Sequence, residues 1–170
     1  SVHNRAADLL GAKLSARLGE TVDFQLEGNI IERGRSAADL LTMVETGELT
    51  MCYFSSSYLA DLVPEFALLD LPFVITERVQ AYAALDGRLG RFLAQKLAEI
   101  SGYRILAYWD NGFRHFSNRV PPIRAPADCA GLRIRTLSSA LHTETFQRLG
   151  FDPVMLDVKD LIDAVKGGTI

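Results

Sequence analysis

Hydrophobic residues in this chain follow two different spacings. The first stretch is spaced like one face of a helix, with apolar side chains every three or four residues at Ala6, Leu9, Leu10, Leu14 and Leu18. Gly19 follows as a helix stop. Apolar and polar residues then alternate, as in a half-buried strand, with the apolar positions at Val22, Phe24 and Leu26. The pattern therefore predicts a helix followed by a strand.

The same two spacings alternate along the rest of the chain. They predict helices at 36–47, 78–85, 89–100, 139–149 and 159–166, and strands at 49–54, 103–108, 113–117, 132–136 and 153–156. Ser36 with Asp39 predicts a capping box, and Thr76 is the expected cap of the helix at 78–85. A regular alternation of helix and strand favours an α/β fold with a mainly parallel sheet.

The composition of the chain argues against several classes of protein. The 170 residues are 48% hydrophobic and 23% charged, which is typical of a globular domain and not of a disordered chain. Lys and Arg number 18 against 21 for Asp and Glu, a net charge of −3 that argues against sequence-independent nucleic-acid binding. The apolar runs are too short to span a bilayer.

Motifs for metal, phosphate and nucleophilic chemistry are missing from the sequence. Two cysteines exclude a disulfide framework and a four-cysteine zinc site, and no two of the three histidines have helical metal-ligand spacing. No phosphate-binding glycine loop and no nucleophile elbow occurs. We therefore expect no cofactor, no metal and no enzymatic activity.

Arginine on a predicted strand is the main chemical signal. Arg133 and Arg135 share one face of the strand at 132–136, and Arg135 is nearer its carboxyl end, where open α/β sheets bind ligands. A helix starting near Ser139 would add its positive dipole end. A guanidinium suits a carboxylate because it donates two parallel hydrogen bonds. The alternative is that both arginines pair with acidic residues on the surface.

A proline-rich bend at 121–126 is the expected crossing between two domains, 1–120 and 121–170. Only about 45 residues follow the bend, which is marginal for a domain. The ending Gly167–Ile170 reads as a helix end that opens into a strand. We therefore expect the chain to stop in the middle of a fold.

Several segments, taken together and in order, resemble the solute-binding proteins of tripartite ATP-independent periplasmic (TRAP) transporters, of the dicarboxylate-binding type. They are 44–49, 71–73, 102–114, 117–119, 122–128, 131–135, 149–154 and 160–167. The resemblance implies a two-lobed fold of the periplasmic-binding-protein type II. Its cleft would close on an organic acid, which a sodium-coupled membrane permease then receives. Lobe one would be 1–120, and 121–170 would be the incomplete start of lobe two.

The resemblance also assigns roles to residues. Arg135 matches the family arginine that binds the ligand carboxylate, Arg114 matches an arginine that assists it, and Phe54 and Ser55 lie near a further cleft position. The turn at Asn111 can bring the backbone close to the ligand. Trp109 is a further candidate, although a tryptophan there is more often part of the core.

The chain departs from the family pattern in several ways. Family members are about twice as long, and they continue through an Asp-Gly-x-Glu-Asn element and begin with an earlier strand. Ser55 replaces the acidic residue that some relatives carry, which argues against an amine-bearing or sialic-acid-like ligand. The resemblance implies a periplasmic protein whose signal peptide has been removed, neither membrane-embedded nor bound to nucleic acid. The alternatives are the effector-binding domain of a LysR-type regulator and an enzyme on the same fold.

Overall fold

The computed structural model describes residues 2–19, 22–119 and 122–170. The chain divides into two compact units, Ser1–Cys52 and Tyr53–Ile170. The predicted boundary between residues 120 and 121 lies outside the described residues, so the assignment to two lobes stays a prediction. No helix among the described residues is both long and apolar enough to cross a membrane.

The first unit is built from α1 (Val2–Leu18) and α2 (Asp39–Glu45). Gly19 ends α1 with a φ of 69°, as the sequence predicts. The Asp39 carboxylate accepts hydrogen bonds from the backbone nitrogen and the hydroxyl of Ser36, at 2.6 and 2.9 Å. The predicted capping interaction is therefore present, although α2 itself begins only at Asp39.

The second unit carries the remaining helices and the sheet, in the order α3 (Arg78–Leu85), α4 (Arg88–Ser101), β1 (Arg133–Thr136), α5 (Ala140–Arg148), β2 (Asp152–Met155) and α6 (Leu161–Lys166). β1 and β2 are parallel neighbours, with Arg135 opposite Val154. α5 connects them and packs on both. This β–α–β arrangement is the one predicted for the end of the chain.

Apolar side chains from irregular segments and helices form the core of the second unit. The most buried are Leu59, Val63, Phe66, Leu93, Leu97, Cys129, Leu137 and Phe151. Phe66 lies in a 3₁₀ helix, Pro64–Asp70, that follows a shorter one, Ser56–Leu59, and these two helices pack together. The core therefore fixes the position of the segment 56–70, which carries part of the site described below.

The strands predicted at 22–26, 49–54, 103–108 and 113–117 are not hydrogen-bonded strands in the described part of the chain. Alternation predicts which side chains face inward on an extended backbone, but a strand also requires a neighbouring strand with which to exchange hydrogen bonds. Within the residues that the structure describes, β1 and β2 are the strands that meet in this way. The cap predicted at Thr76 is also wrong, because α3 begins after Glu77, whose side chain makes no capping bond.

Gly90 on α4 lies against the Leu85 carbonyl and the Tyr108 ring. A methyl group at Gly90 would overlap the Leu85 carbonyl oxygen and come within 2.9 Å of the ring. Gly90→Ala should therefore lower the free energy of unfolding by about 2 kcal/mol, measured by urea denaturation. The exposed Arg91→Ala on the same helix is the control and should change it by less than about 0.5 kcal/mol. An equal effect of the two variants would contradict the close packing.

Candidate functional site

Arg135 lies at the carboxyl end of β1 and is half-buried. Its Nε donates a 2.8 Å hydrogen bond to the carbonyl oxygen of Leu156, just beyond the end of β2. Among the described residues, no hydrogen bond or ion pair engages Nη1 or Nη2 of Arg135. These two nitrogens therefore do not pair with an acidic residue on the surface, as the alternative would require. The guanidinium is therefore held at one nitrogen, and two nitrogens remain to bind a carboxylate.

Arg114 lies in the segment 103–118, which forms neither a helix nor a hydrogen-bonded strand. Its side chain is exposed and has no hydrogen bond or ion pair within the described ranges. The positive charges of both Arg114 and Arg135 act on the hydroxyl of Tyr58. The charges of the two arginines chosen from the sequence therefore both act on one tyrosine, although the arginines come from different segments of the chain.

Tyr58 and Asp157 were missed by the sequence analysis. The charge of Asp157 acts on Tyr58 together with those of Arg114 and Arg135, and we call these four residues the arginine cluster. Burial raises the pKa of Tyr58, the negative charge of Asp157 raises it further, and the two arginines act in the opposite direction. Asp157 directly follows Leu156, to which Arg135 is bonded. The rule that selected Arg135, position at the carboxyl end of a strand, could also have found Asp157.

Phe54 is connected to the cluster through a ring contact. Its ring stacks on Tyr58 with a centroid separation of 6.1 Å and an interplanar angle of 14°. Phe54 thus supports the position of the Tyr58 ring, since the 3₁₀ helix Ser56–Leu59 places the two rings side by side. Its contact with a ligand stays a prediction.

Ser55 is half-buried and begins a chain of polar side chains that continues through Ser57 and Asp70 to His142. The hydroxyls of Ser55 and Ser57 are 3.0 Å apart, and the Ser57 side chain is hydrogen-bonded to Asp70. Nε2 of His142, on α5, lies 3.5 Å from the Asp70 carboxylate. Ser55 is therefore engaged within the fold, and its predicted ligand contact stays untested.

Asp70 is charged although its side chain is only 11% exposed. Burial raises the pKa of Asp70. The hydrogen bonds from His142 and Ser57 and the electrostatic effects of His142 and Arg114 lower it more strongly, so that the net pKa is below its ordinary value. The charge of Arg114 thus acts on both Tyr58 and Asp70. The Asp70 carboxylate links the 3₁₀ helix Pro64–Asp70 to α5 and thereby stabilises the segments that carry the candidate site.

Trp109 and Asn111 take part in a different set of contacts. The Trp109 ring lies on Tyr53 with centroids 4.8 Å apart. Asn111 is exposed in a turn in which Asp110 accepts a 2.6 Å hydrogen bond from the backbone nitrogen of Gly112, whose φ is 85°. Asp110 also accepts one from the Tyr82 hydroxyl at 2.6 Å, which fastens the turn to α3. No contact within the described ranges joins Trp109 or Asn111 to the arginine cluster.

A shallow depression of about 410 Å³ lies beside the start of α5. Its lining residues are Asp61, Ser138, Ser139, Ala140, Thr143, Glu144, Gln147 and Met155. Neither Arg114 nor Arg135 lines it, and two of its lining residues are acidic. Because these acids would repel a carboxylate, we locate the candidate site at the arginine cluster and not in this depression. Within the described residues, no group of three or more His, Cys, Asp or Glu could hold a metal ion.

A parallel β–α–β unit with an arginine at the carboxyl end of its first strand is typical of α/β ligand-binding proteins. Two solved structures are closely similar in fold, both of TRAP periplasmic solute-binding proteins. One, from Sulfurospirillum deleyianum with bound succinate, has a TM-score of 0.89 and 28% identity, covering 98% of this chain and 53% of its own. The other, from Roseobacter denitrificans with bound β-D-glucuronate, has a TM-score of 0.88 and 29% identity, covering 98% and 55%.

The family model for bacterial extracellular solute-binding proteins, family 7, matches residues 3–170, and the chain belongs to this family. A relative, the 2,3-diketo-L-gulonate-binding periplasmic protein YiaO of Escherichia coli, is 33% identical over 79% of this chain and 41% of its own length. The resemblance and the fold class inferred from the sequence are thereby confirmed, and the LysR-type alternative is not supported. The chain spans about half the length of the relatives that it matches.

Proposed function

We propose that this chain is part of the extracytoplasmic solute-binding subunit of a TRAP transporter. It binds the carboxylate of an organic acid at Arg135, with Arg114 as a second cationic group, and delivers the acid to the membrane permease. The protein works in the periplasm of its cell. The family membership and the ligands of the similar structures, succinate and glucuronate, support an acidic solute.

The observation that carries this proposal is the guanidinium of Arg135, whose Nη1 and Nη2 have no hydrogen bond or ion pair among the described residues. An arginine that is half-buried normally has an ion-pair partner, because an unpaired charge costs free energy away from water. Nη1 and Nη2 of Arg135 have no hydrogen bond among the described residues, and the charges of Arg135 and Arg114 both act on Tyr58. A bound carboxylate supplies what Arg135 lacks, namely a negative charge and two acceptor oxygens.

The subunit binds and releases its solute without changing it. In a Ser–His–Asp hydrolase the histidine contacts the serine, so that it can take the serine proton. Here Asp70 lies between Ser57 and His142 and is hydrogen-bonded to both. In the described part of the chain the Ser57 side chain is bonded to the Asp70 carboxylate and not to His142, which supports a structural role for these three side chains.

Ligand-dependent stabilisation tests the proposed function. The protein, as its gene encodes it, should melt several degrees higher with an organic acid, because a ligand at 100 times its Kd adds about 2.7 kcal/mol to the native state. The thermal-shift panel contains succinate, D-glucuronate, D-gluconate and pyruvate, with glucose and glycine as uncharged and amine-bearing controls. Stabilisation by none of the acids, or by glucose alone, would contradict a carboxylate-binding subunit.

A further inference from the structure

The turn that precedes Arg114 is fastened to α3 through the side chain of Asp110. The Tyr82 hydroxyl donates a 2.6 Å hydrogen bond to Oδ2 of Asp110. Nε of Arg78 lies 3.5 Å from the same oxygen. Arg78 and Tyr82 are four residues apart and therefore share one face of α3. That face holds the turn by one carboxylate oxygen.

The other carboxylate oxygen of Asp110 fixes the turn itself. Oδ1 accepts a 2.6 Å hydrogen bond from the backbone nitrogen of Gly112, whose φ of 85° glycine adopts without strain. The guanidinium of Arg78 lies over the ring of Phe113, 5.6 Å from its centroid. Asp110 thus joins a bend of the backbone to α3, and the chain enters Arg114 from a fixed direction.

Aromatic contacts hold the chain on the other side of Arg114. The Phe116 ring lies 5.9 Å from the ring of Phe146 on α5 and 5.4 Å from that of Phe151, measured between centroids. Phe146 and Phe151 also contact each other edge to face. The segment 103–118 has no backbone ladder of its own, so side-chain contacts such as these hold it on both sides of Arg114.

A fixed backbone matters for Arg114 because its own side chain is not held. The side chain is exposed and has no hydrogen bond or ion pair within the described ranges. A long side chain loses conformational freedom when it binds a ligand, and this loss weakens binding. Supporting contacts that fix the starting position of a binding residue reduce the loss.

We propose that Asp110, held by Tyr82 and Arg78, is a positioning residue that directs Arg114 toward the carboxylate of the ligand. The inference rests on the proposed function and adds the residues that position its second cationic group. Asp110 acts through the turn and does not itself contact the ligand. Its negative charge alone would repel an anion, so a loss of affinity on removing that charge must come from lost position.

Calorimetric titration of the protein, as its gene encodes it, tests the inference. Succinate, D-glucuronate, D-gluconate and pyruvate are titrated first, and the acid with the lowest Kd is then used for the variants. Asp110→Ala should raise the Kd about fivefold and Tyr82→Phe about threefold. Asp110→Asn should raise it less than Asp110→Ala, because the asparagine oxygen can still accept the hydrogen bond from Gly112.

Tyr108→Phe is the matched control for Tyr82→Phe. The Tyr108 hydroxyl donates a 2.9 Å hydrogen bond to the carbonyl oxygen of Gly90 on α4, so this variant also removes a tyrosine bond that fastens the segment 103–118. Tyr108→Phe should lower stability but leave the Kd within about twofold of the wild type, because its bond does not hold the turn.

A double-mutant cycle shows whether Asp110 acts through Arg114. Arg114→Ala should raise the Kd about tenfold. Adding Asp110→Ala to Arg114→Ala should raise the Kd by less than about twofold more, because the turn then has no guanidinium to position. Urea denaturation checks that each variant is folded, and Tyr82→Phe takes the place of Asp110→Ala in the cycle if the latter is not.

Each outcome bears either on the inference or on the proposed function. A full effect of Asp110→Ala in the Arg114→Ala background overturns the inference, as do tighter binding by Asp110→Ala and equal effects of Tyr82→Phe and Tyr108→Phe on the Kd. An unchanged Kd in Arg114→Ala also overturns it and leaves carboxylate binding at Arg135 in place. No binding of any of the four acids overturns the proposed function together with the inference.

Discussion

Replacing Arg135 by alanine should weaken binding of the organic acid at least about a hundredfold. Removing one partner of a hydrogen-bonded, desolvated charge pair costs about 2–5 kcal/mol, and 1.4 kcal/mol corresponds to a factor of ten in Kd. Nη1 and Nη2 of Arg135 have no hydrogen bond or ion pair among the described residues, so both are available to a carboxylate. Isothermal titration with the acid that stabilises the protein most strongly measures the loss.

Arg135→Lys distinguishes charge from geometry. Lysine keeps the positive charge but cannot donate two parallel hydrogen bonds to a carboxylate, so the expected loss is about tenfold or more. Arg133→Lys on the same strand is the control, because Arg133 is exposed and its Nη2 donates to the carbonyl of Gly168 at 2.6 Å. Arg114→Lys should have a smaller effect that depends on the ligand. Unchanged affinity in both Arg135 variants would remove Arg135 from the site.

Replacing Asp70 by alanine should lower the free energy of unfolding by about 3 kcal/mol. The Asp70 and His142 side chains are only 11% and 8% exposed, and removing one member of a buried pair leaves the other without its partner. The hydroxyl of Ser57 loses its acceptor at the same time. Urea denaturation at neutral pH measures the change, with the exposed Asp61→Ala as control.

The pH dependence of this effect has a definite sign. The pKa of Asp70 is lower in the folded protein than its ordinary value, so the folded state favours the ionised form. Its contribution to stability is present above the unfolded pKa of about 3.9 and is lost as the pH falls through the folded pKa. The difference between the wild type and Asp70→Asn should therefore shrink at acidic pH. A difference that stays constant down to pH 2 would contradict the ionised network.

A double-mutant cycle shows whether Asp70 acts through His142. Asp70→Ala and His142→Ala together should cost less than the sum of the two single changes, because each removes the same contact. Additive effects would mean that the 3.5 Å contact between Nε2 and the carboxylate contributes nothing to stability. The cycle also tests the contact between α5 and the 3₁₀ helix Pro64–Asp70.

Local sequence signals predicted the helices and the last strands well. α3, α4 and α5 lie within one or two residues of their predicted bounds, and β1 and β2 occur where alternation placed strands. Arg135 was found by two local rules, alternation along a strand and position at its carboxyl end. Asp157 obeys the second rule, but its helix-capping role makes it look like an ordinary turn residue.

The sequence by itself determined the helices, the β–α–β order and the family of this protein, because spacing and motif order are properties of neighbouring residues. Only the tertiary structure decided which extended segments pair, because a ladder of hydrogen bonds needs two segments to meet. It alone showed that the charges of Arg114 and Arg135 both act on Tyr58, and it alone joined Asp70 to His142. These residues are far apart in the chain. Whether their charges interact depends on distances in the folded protein, which no local sequence pattern specifies.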